Sequence, residues 1–244
     1  MTYINTFERY EIKYILTREQ RKALCDLMVG KMKIDKYGHT TIRNIYYDTE
    51  DYRLIRNSLD KPIYKEKLRV RSYGRITKTD DVFIELKKKY ESIVYKRRIA
   101  LPEYITTDWL VKGKIQPVNS QIADEIEYFK NYYEGLKPAV FLSYEREAYY
   151  PTEPGDLRVT LDSNLIARNY DLTLLNGVYG ENIIDRDLTV LEVKVSGAMP
   201  TWLIRFLNDN GIRKTSFSKY GMYYMNKMTP KSEDENEKGG LLYA

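Results

Sequence analysis

The sequence predicts an α+β fold: an eight-stranded antiparallel β-barrel forming a basic tunnel, with flanking helices. Three observations carry this expectation. Eight segments read as strands, most with usable period-2 alternation, and few Gly/Pro linkers separate them. Helices with recognisable start signals fall between them. In at least four strands the polar face is dominated by Lys and Arg with an occasional Glu, whereas a solvated sheet face mixes signs and uses Thr, Ser and Gln.

The elements follow in chain order. "FERYEIKYIL" is a strand in which Arg9, Glu11 and Lys13 alternate with Tyr10, Ile12 and Tyr14. Thr17 and Gln20 form a capping box ahead of a helix carrying Leu24, Leu27 and Met28. After the strand "TIRNIYYD", Thr49 can cap a helix bearing Tyr52, Ile55 and Leu59. In "KEKLRVRSYG", Lys65, Lys67, Arg69 and Arg71 line one face over roughly 20 Å, opposite Leu68 and Val70. "VFIELKKKY" sets Glu85, Lys87 and Lys89 against Val82, Ile84 and Leu86. "SIVYKRRIAL" is ambiguous, because Lys96, Arg97 and Arg98 put charge on both faces. Ser120 opens a helix with Ile122, Ile126, Phe129 and Tyr133, closed by Gly135. "AVFLSYEREAYY" follows, then "LRVTLDSNLIA", where Arg158, Thr160 and Asp162 oppose Leu157, Val159 and Leu161. In "LTVLEVKVSG", Glu192 and Lys194 oppose Leu191, Val193 and Val195. Pro200 starts a helix with Trp202, Leu203, Phe206 and Leu207, and Gly211 stops it.

Composition excludes several functions. No run reaches the ~18 apolar residues of a membrane span, and no signal-peptide core opens the chain, so a soluble, cytoplasmic protein is expected. The single cysteine, Cys25, excludes an internal disulfide and reads as a buried helix thiol. The one histidine, His39, lies in a polar turn, so no histidine-based triad can be built. Walker, GxGxxG and CxxC patterns are absent. The 24 tyrosines read as core and barrel wall, and no nucleic-acid partner is expected. The net charge is +5. Residues 229–244 read as a disordered acidic tail and residues 1–228 as one α+β domain.

A row of like charges needs a partner. Two cations about 6 Å apart repel by roughly 3 kcal/mol at an effective dielectric near 20. Glu11, Glu85, Asp162 and Glu192 are too few to neutralise the row. The missing partner is a dense, extended anion such as polyphosphate or a nucleoside triphosphate.

The motifs "FERYEIKY", "YYDTEDY", "KLRVRSYG", "FIELKKK", "SYEREAY", "LRVTLDSNL", "LEVKVSG" and "SFSKYGMYY" occur in that order over residues 7–224. The chain thereby resembles the triphosphate tunnel metalloenzymes (CYTH-like), and more closely the VTC-type polyphosphate polymerase domain. The resemblance implies transfer of the ATP γ-phosphoryl group onto a growing polyphosphate chain, with release of ADP and dependence on Mn²⁺ or Mg²⁺. By motif, Lys13, Arg69, Arg71, Lys87, Arg146, Arg158 and Lys219 clamp phosphates, with Lys219 arriving on a C-terminal helix. Arg9, Lys65, Lys67, Lys89 and Lys194 are further phosphate-binding candidates. Glu192 is the leading metal ligand, and Glu11 and Glu85 are either ligands or ion-pair partners. The hydrolases and cyclases of this fold typically open with Glu-x-Glu-x-Lys. Here that face reads Arg9, Glu11, Lys13, and losing one acid favours transfer over hydrolysis. A phosphohydrolase of tripolyphosphate, RNA or thiamine triphosphate, an adenylyl cyclase and a non-catalytic polyphosphate-binding module are the alternatives. A membrane partner is compatible with the resemblance, and the oligomeric state is not specified by it.

Overall fold

Period-2 alternation builds one antiparallel sheet. The computed structural model describes residues 10–91 and 93–229. Arg9 and all but Thr229 of the acidic tail lie outside the described residues. The strands are β1 (Tyr10–Leu16), β2 (Met32–Asp48), β3 (Tyr64–Tyr73), β4 (Asp81–Tyr90), β5 (Ile93–Pro102), β6 (Lys137–Pro151), β7 (Arg158–Arg168), β8 (Glu181–Asn182) and β9 (Thr189–Val195). The helices are α1 (Arg18–Met28), α2 (Arg53–Leu59), α3 (Glu103–Leu110), α4 (Gln121–Tyr132), α5 (Thr201–Asp209) and α6 (Lys219–Tyr223), which runs into a π-helical turn at Tyr224–Met228. The capping box at Thr17 and Gln20 is formed, and Ser120 caps α4 as its sequence requires.

The strand order is β1-β9-β7-β6-β2-β3-β4-β5, with β8 attached to β7. The sheet curls until its two ends share one cavity, which Lys13 of β1 and Lys96 of β5 both line. Its ends are not hydrogen-bonded to each other among the described residues, so the expected closed barrel is not formed. The physical reason lies on β1. The free edge of this strand is taken by Thr215, whose N–H donates to the Lys13 carbonyl at 2.8 Å.

Helices cover the outer faces. Leu68 and Val70 of β3 and Ile84 and Leu86 of β4 pack with Trp109 of α3 and Ile126 and Phe129 of α4. Leu16, Val159, Leu191 and Val193 pack with Leu24 and Met28 of α1 and Leu203 and Phe206 of α5. Each such side chain contributes roughly 1.5–3 kcal/mol on burial. A third cluster corrects the idea of a wholly charged interior. Tyr46, Val140, Leu142, Leu165 and Ala167 pack against Ile55 of α2 and Phe217, Tyr220 and Met222 around α6. Asn164, with φ of 50°, sits at the switch of parity in β7, between the inward Asp162 and the inward Leu165. An Asn tolerates that left-handed backbone better than most residues. α6 thus plugs part of the sheet interior. It approaches α2 so closely that a Cβ at Gly221 would lie 3.0 Å from Leu59 Cδ2, so the contact depends on glycine.

Candidate functional site

What the plug leaves open is a cavity of about 810 Å³. Its wall carries eleven cationic side chains against four carboxylates, an excess that favours an anionic ligand. β3 contributes Lys67, Arg69 and Arg71, β4 contributes Glu85 and Lys87, and β1 contributes Glu11 and Lys13. Arg146 comes from β6, Arg158 from β7, Glu192 and Lys194 from β9, and Lys219 from α6. The sequence-derived candidates therefore converge on one space, with three exceptions. Lys65 and Lys89 pair with each other one step along the β3–β4 hairpin and do not line the cavity. Arg9 is outside the described residues.

Two buried carboxylate centres organise these cations. Glu85, 1% exposed, receives Arg69 and Lys96 at 2.7 Å, Arg98 at 3.1 Å and Arg71 at 3.8 Å. Burial pushes its carboxyl up, but Arg69, Arg71 and Lys96 outweigh burial and hold it at about 2. The second centre joins Asp162 and Glu192. Arg146 grips Asp162 with two bonds of 2.6 and 2.7 Å. Lys219 Nζ lies 2.6 Å from Asp162 and 3.3 Å from Glu192, above the Tyr144 ring. Lys13, Arg146 and Lys194 also reach Glu192, at 3.3–3.7 Å. Burial opposes ionisation of Glu192, yet Lys219, Lys13, Lys194 and Arg146 hold it well below the usual carboxylate range.

Tyrosines fix the arginines. Tyr46 OH accepts from Arg69 at 3.1 Å, and Tyr144 OH accepts from Arg71 at 3.2 Å. Burial raises Tyr46, but Arg69, Lys67 and Arg71 bring it down to about 8. Lys67 is also held at about 8, chiefly because burial disfavours its ammonium and Lys65, Lys87 and Lys13 lie nearby. Lys219 is positioned from behind. Its neighbour Tyr220 packs its ring at a tilt against Tyr46, centroids 5.2 Å apart, and donates to Asp48 at 3.0 Å. Asp48 also accepts from the N–H groups of Leu54 and Ile55 at the start of α2. Thr49 takes the Arg53 N–H at 2.9 Å, so the start of α2 uses two capping residues where the sequence suggested one.

Sequence reasoning missed Lys96, Arg98, Thr160 and the Asp48–Tyr220 link. In β5 the charges divide: Lys96 and Arg98 turn inward to Glu85, and Arg97 turns outward to Glu125 at 3.3 Å. Alternation puts Thr160 on the polar face, but nothing in the sequence marks its hydroxyl. It lines the cavity, is buried and has no hydrogen-bond partner among the described residues.

Among the described residues no group of three or more His, Cys, Asp or Glu is placed to hold a metal. Glu11 and Glu192 do converge, both within 4 Å of Lys13 Nζ, and Thr160 is the cross-strand neighbour of Glu192. Two carboxylates and an unpartnered hydroxyl suit a hard cation that takes its other ligands from phosphate oxygens and water. Glu85 is held more closely, with Arg69 and Lys96 at 2.7 Å against 3.3–3.7 Å for the four cations at Glu192, and has less carboxylate to offer.

The VTC domain family model matches residues 8–226. Subunit 4 of the vacuolar transporter chaperone complex of Schizosaccharomyces pombe is 25% identical over 222 residues, which cover 73% of this chain and 30% of that protein. The chain thus spans less than a third of the curated relative. A candidate adenylate cyclase from Bacillus halodurans superposes with a TM-score of 0.52 at 16% identity, covering 85% of this chain and 92% of the other. That likeness concerns the fold alone. Among the described residues no helix is long and apolar enough to cross a membrane.

Proposed function

The chain belongs to the VTC domain family, and from that premise we propose that it is a polyphosphate polymerase. On this reading residues 1–228 are the catalytic unit, working in the cytoplasm on ATP and polyphosphate. The observation that carries the proposal is a cavity wall whose cations outnumber its carboxylates and are held in place before any ligand arrives. Phosphoryl transfer needs positioning and charge stabilisation more than covalent help from the protein. Arg69 and Arg71, fixed by Glu85, Tyr46, Asn44 and Tyr144, are ready to fork onto phosphate oxygens. Arg146 and Lys219, fixed by Asp162, offer a second clamp from across the cavity. Lys13, Lys87, Arg158 and Lys194 complete the wall.

The chemistry is the attack of a terminal phosphate oxygen of the chain on the γ-phosphorus of ATP. The bond to the β-bridging oxygen breaks and ADP leaves. The nucleophile is already anionic and needs no base, but two polyanions must be brought together. The cations supply that stabilisation. Glu192 and Glu11, with the Thr160 hydroxyl, are the residues that would hold a divalent cation. Mn²⁺ or Mg²⁺ there would screen charge on the transferring group. Glu85 serves as the anchor of the arginine pair.

The test is incubation with ATP and Mn²⁺ or Mg²⁺, with products resolved by chain length on a gel. Long, acid-stable chains accompanied by ADP are expected. Orthophosphate released in step with ADP would make the protein a phosphohydrolase. Absence of both products would make it a binding module.

A further inference from the structure

The sheet carries a second cavity on its reverse side. Its volume is about 310 Å³, at the small end of the range of roughly 300–1,000 Å³ for ligand pockets. Strand alternation explains where it lies. Tyr46 of β2 and Arg69 and Arg71 of β3 line the basic cavity, so Ile45, Tyr47 and Val70 face the opposite way and floor the second one. α3 and the segment 172–175 wall it in. Arg43 ties that segment to the sheet by donating to the carbonyls of Leu174 and Asn176 at 3.4 and 2.9 Å.

Ile45, Val70, Leu172 and Leu174 make much of the lining apolar, but its polar groups carry both signs. Glu103, 9% exposed, begins α3. One of its carboxylate oxygens accepts from the Thr107 hydroxyl at 2.9 Å, and among the described residues no cation lies within ion-pair distance of it. A buried carboxylate without a counter-charge is costly. Burial and the Glu103 charge keep the neighbouring Tyr47 hydroxyl protonated. The Thr106 hydroxyl in the same wall is buried and has no hydrogen-bond partner among the described residues. Lys78 also lines the cavity; it is exposed and has no carboxylate within ion-pair distance among the described residues. Lys112 feels the Glu103 charge at longer range but is paired with Asp108 at 2.9 Å.

We propose that this cavity binds a free amino acid with an apolar side chain. The ammonium pairs with Glu103 beside the Tyr47 hydroxyl, the carboxylate faces Lys78, and the side chain lies on Ile45, Val70, Leu172 and Leu174. Simpler classes match less of the wall. An alkylamine leaves Lys78 unused, a fatty carboxylate brings a like charge to Glu103, and glycine leaves the apolar floor uncovered. A charge-assisted contact in a part-buried setting is the strong kind. The inference stands apart from the polymerase reading, because no residue that lines this cavity lines the basic one.

The experiment is a ligand-observed NMR titration of the full chain with L-leucine and L-phenylalanine, with hexylamine, hexanoate and glycine as controls. Both amino acids are expected to bind at least tenfold more tightly than any control. Glu103→Gln is expected to weaken L-leucine by about tenfold or more, the scale of one hydrogen bond to a charged group. Lys78→Ala, at an exposed position, is expected to weaken it by about twofold to fivefold. Both variants should bind tripolyphosphate as the wild type does, and tripolyphosphate should not displace L-leucine. The proposal is overturned if neither amino acid binds at millimolar concentration, if hexylamine or hexanoate binds as tightly, or if either variant binds L-leucine as the wild type does. Displacement of L-leucine by tripolyphosphate would place it in the basic cavity and overturn the proposal as well. No arm reads polymer synthesis, so failure here is distinct from failure of the polymerase assay.

Discussion

Replacing Glu85 by Gln keeps the outline of the side chain and removes the charge on which four cations converge. The carboxyl ionises at about 2 where an ordinary glutamate ionises at 4.5. Linkage converts that difference into about 3 kcal/mol of stability at neutral pH. Breaking a buried ion pair from one side costs about 3–5 kcal/mol. Lys96 and Arg98 are 44% and 35% exposed, and solvent screening places the loss at the lower end. At about 2–4 °C per kcal/mol for a chain of this size, melting should fall by roughly 6–12 °C. The sign with pH is fixed because the folded-state value is depressed. The contribution is complete above 4.5 and disappears as pH falls towards 2, so the gap between wild type and Glu85→Gln should close over that window. Tripolyphosphate supplies the charge that the variant lacks, and should raise the variant's melting temperature more than the wild type's. Sulfate at matched ionic strength is the control. A ligand-free variant melting within about 2 °C of wild type at pH 7 would refute the reasoning, and so would equal rescue of both proteins.

Further outcomes are expected elsewhere in the site. Glu192→Gln should lose nearly all turnover while binding tripolyphosphate at least as tightly, since four cations are relieved of their partner; near-normal rates across Mn²⁺ concentrations would dismiss the metal assignment. Arg69→Ala removes a charge-assisted contact worth about 1.5–3 kcal/mol, and should weaken binding and turnover together by roughly ten- to a hundredfold. Lys67 and Tyr46 both titrate at about 8 in the ligand-free protein, and an incoming polyanion favours their protonated forms. Triphosphate affinity should therefore fall as pH rises through 8, and calorimetry in buffers of different ionisation heat should register proton uptake; a flat profile from pH 7 to 9 would contradict this. Tyr220→Phe leaves Asp48 short of a donor, costing about 1–3 kcal/mol. It should lower kcat through misplaced Lys219, an effect absent if α6 is only packing.

The inward row of β3 could be read from the sequence because strand geometry sends every second residue to one face, and no other element had to be known. The same holds for Glu192 and Lys194 on β9. β5 could not be read that way. With Lys96, Arg97 and Arg98 consecutive, alternation has no apolar reference, and only the position of Glu85 on β4 decides which two turn inward. The missing closure depends on Thr215, a residue with no strand signal of its own, reaching the β1 edge. α3 went unpredicted although Pro102 and Glu103 form a plausible helix start. The resemblance brought Lys219 in on a C-terminal helix, but five residues are too few to show a face, so nothing in the sequence says that Tyr220 and Met222 pack inside the sheet.

α6 is the last helix of the described chain to be synthesised, yet Lys219 supplies one of the two counter-charges that Asp162 receives. Until the ribosome has released that segment, the nascent sheet holds a buried carboxylate pair partly unmatched and an interior open to water where Tyr220 and Met222 will pack. Docking of α6 therefore completes the hydrophobic seal and the ion-pair centre at Asp162 in one event. A chain that has not finished folding lacks the Arg146–Lys219 side of the cavity, and completion of the fold and completion of the site coincide.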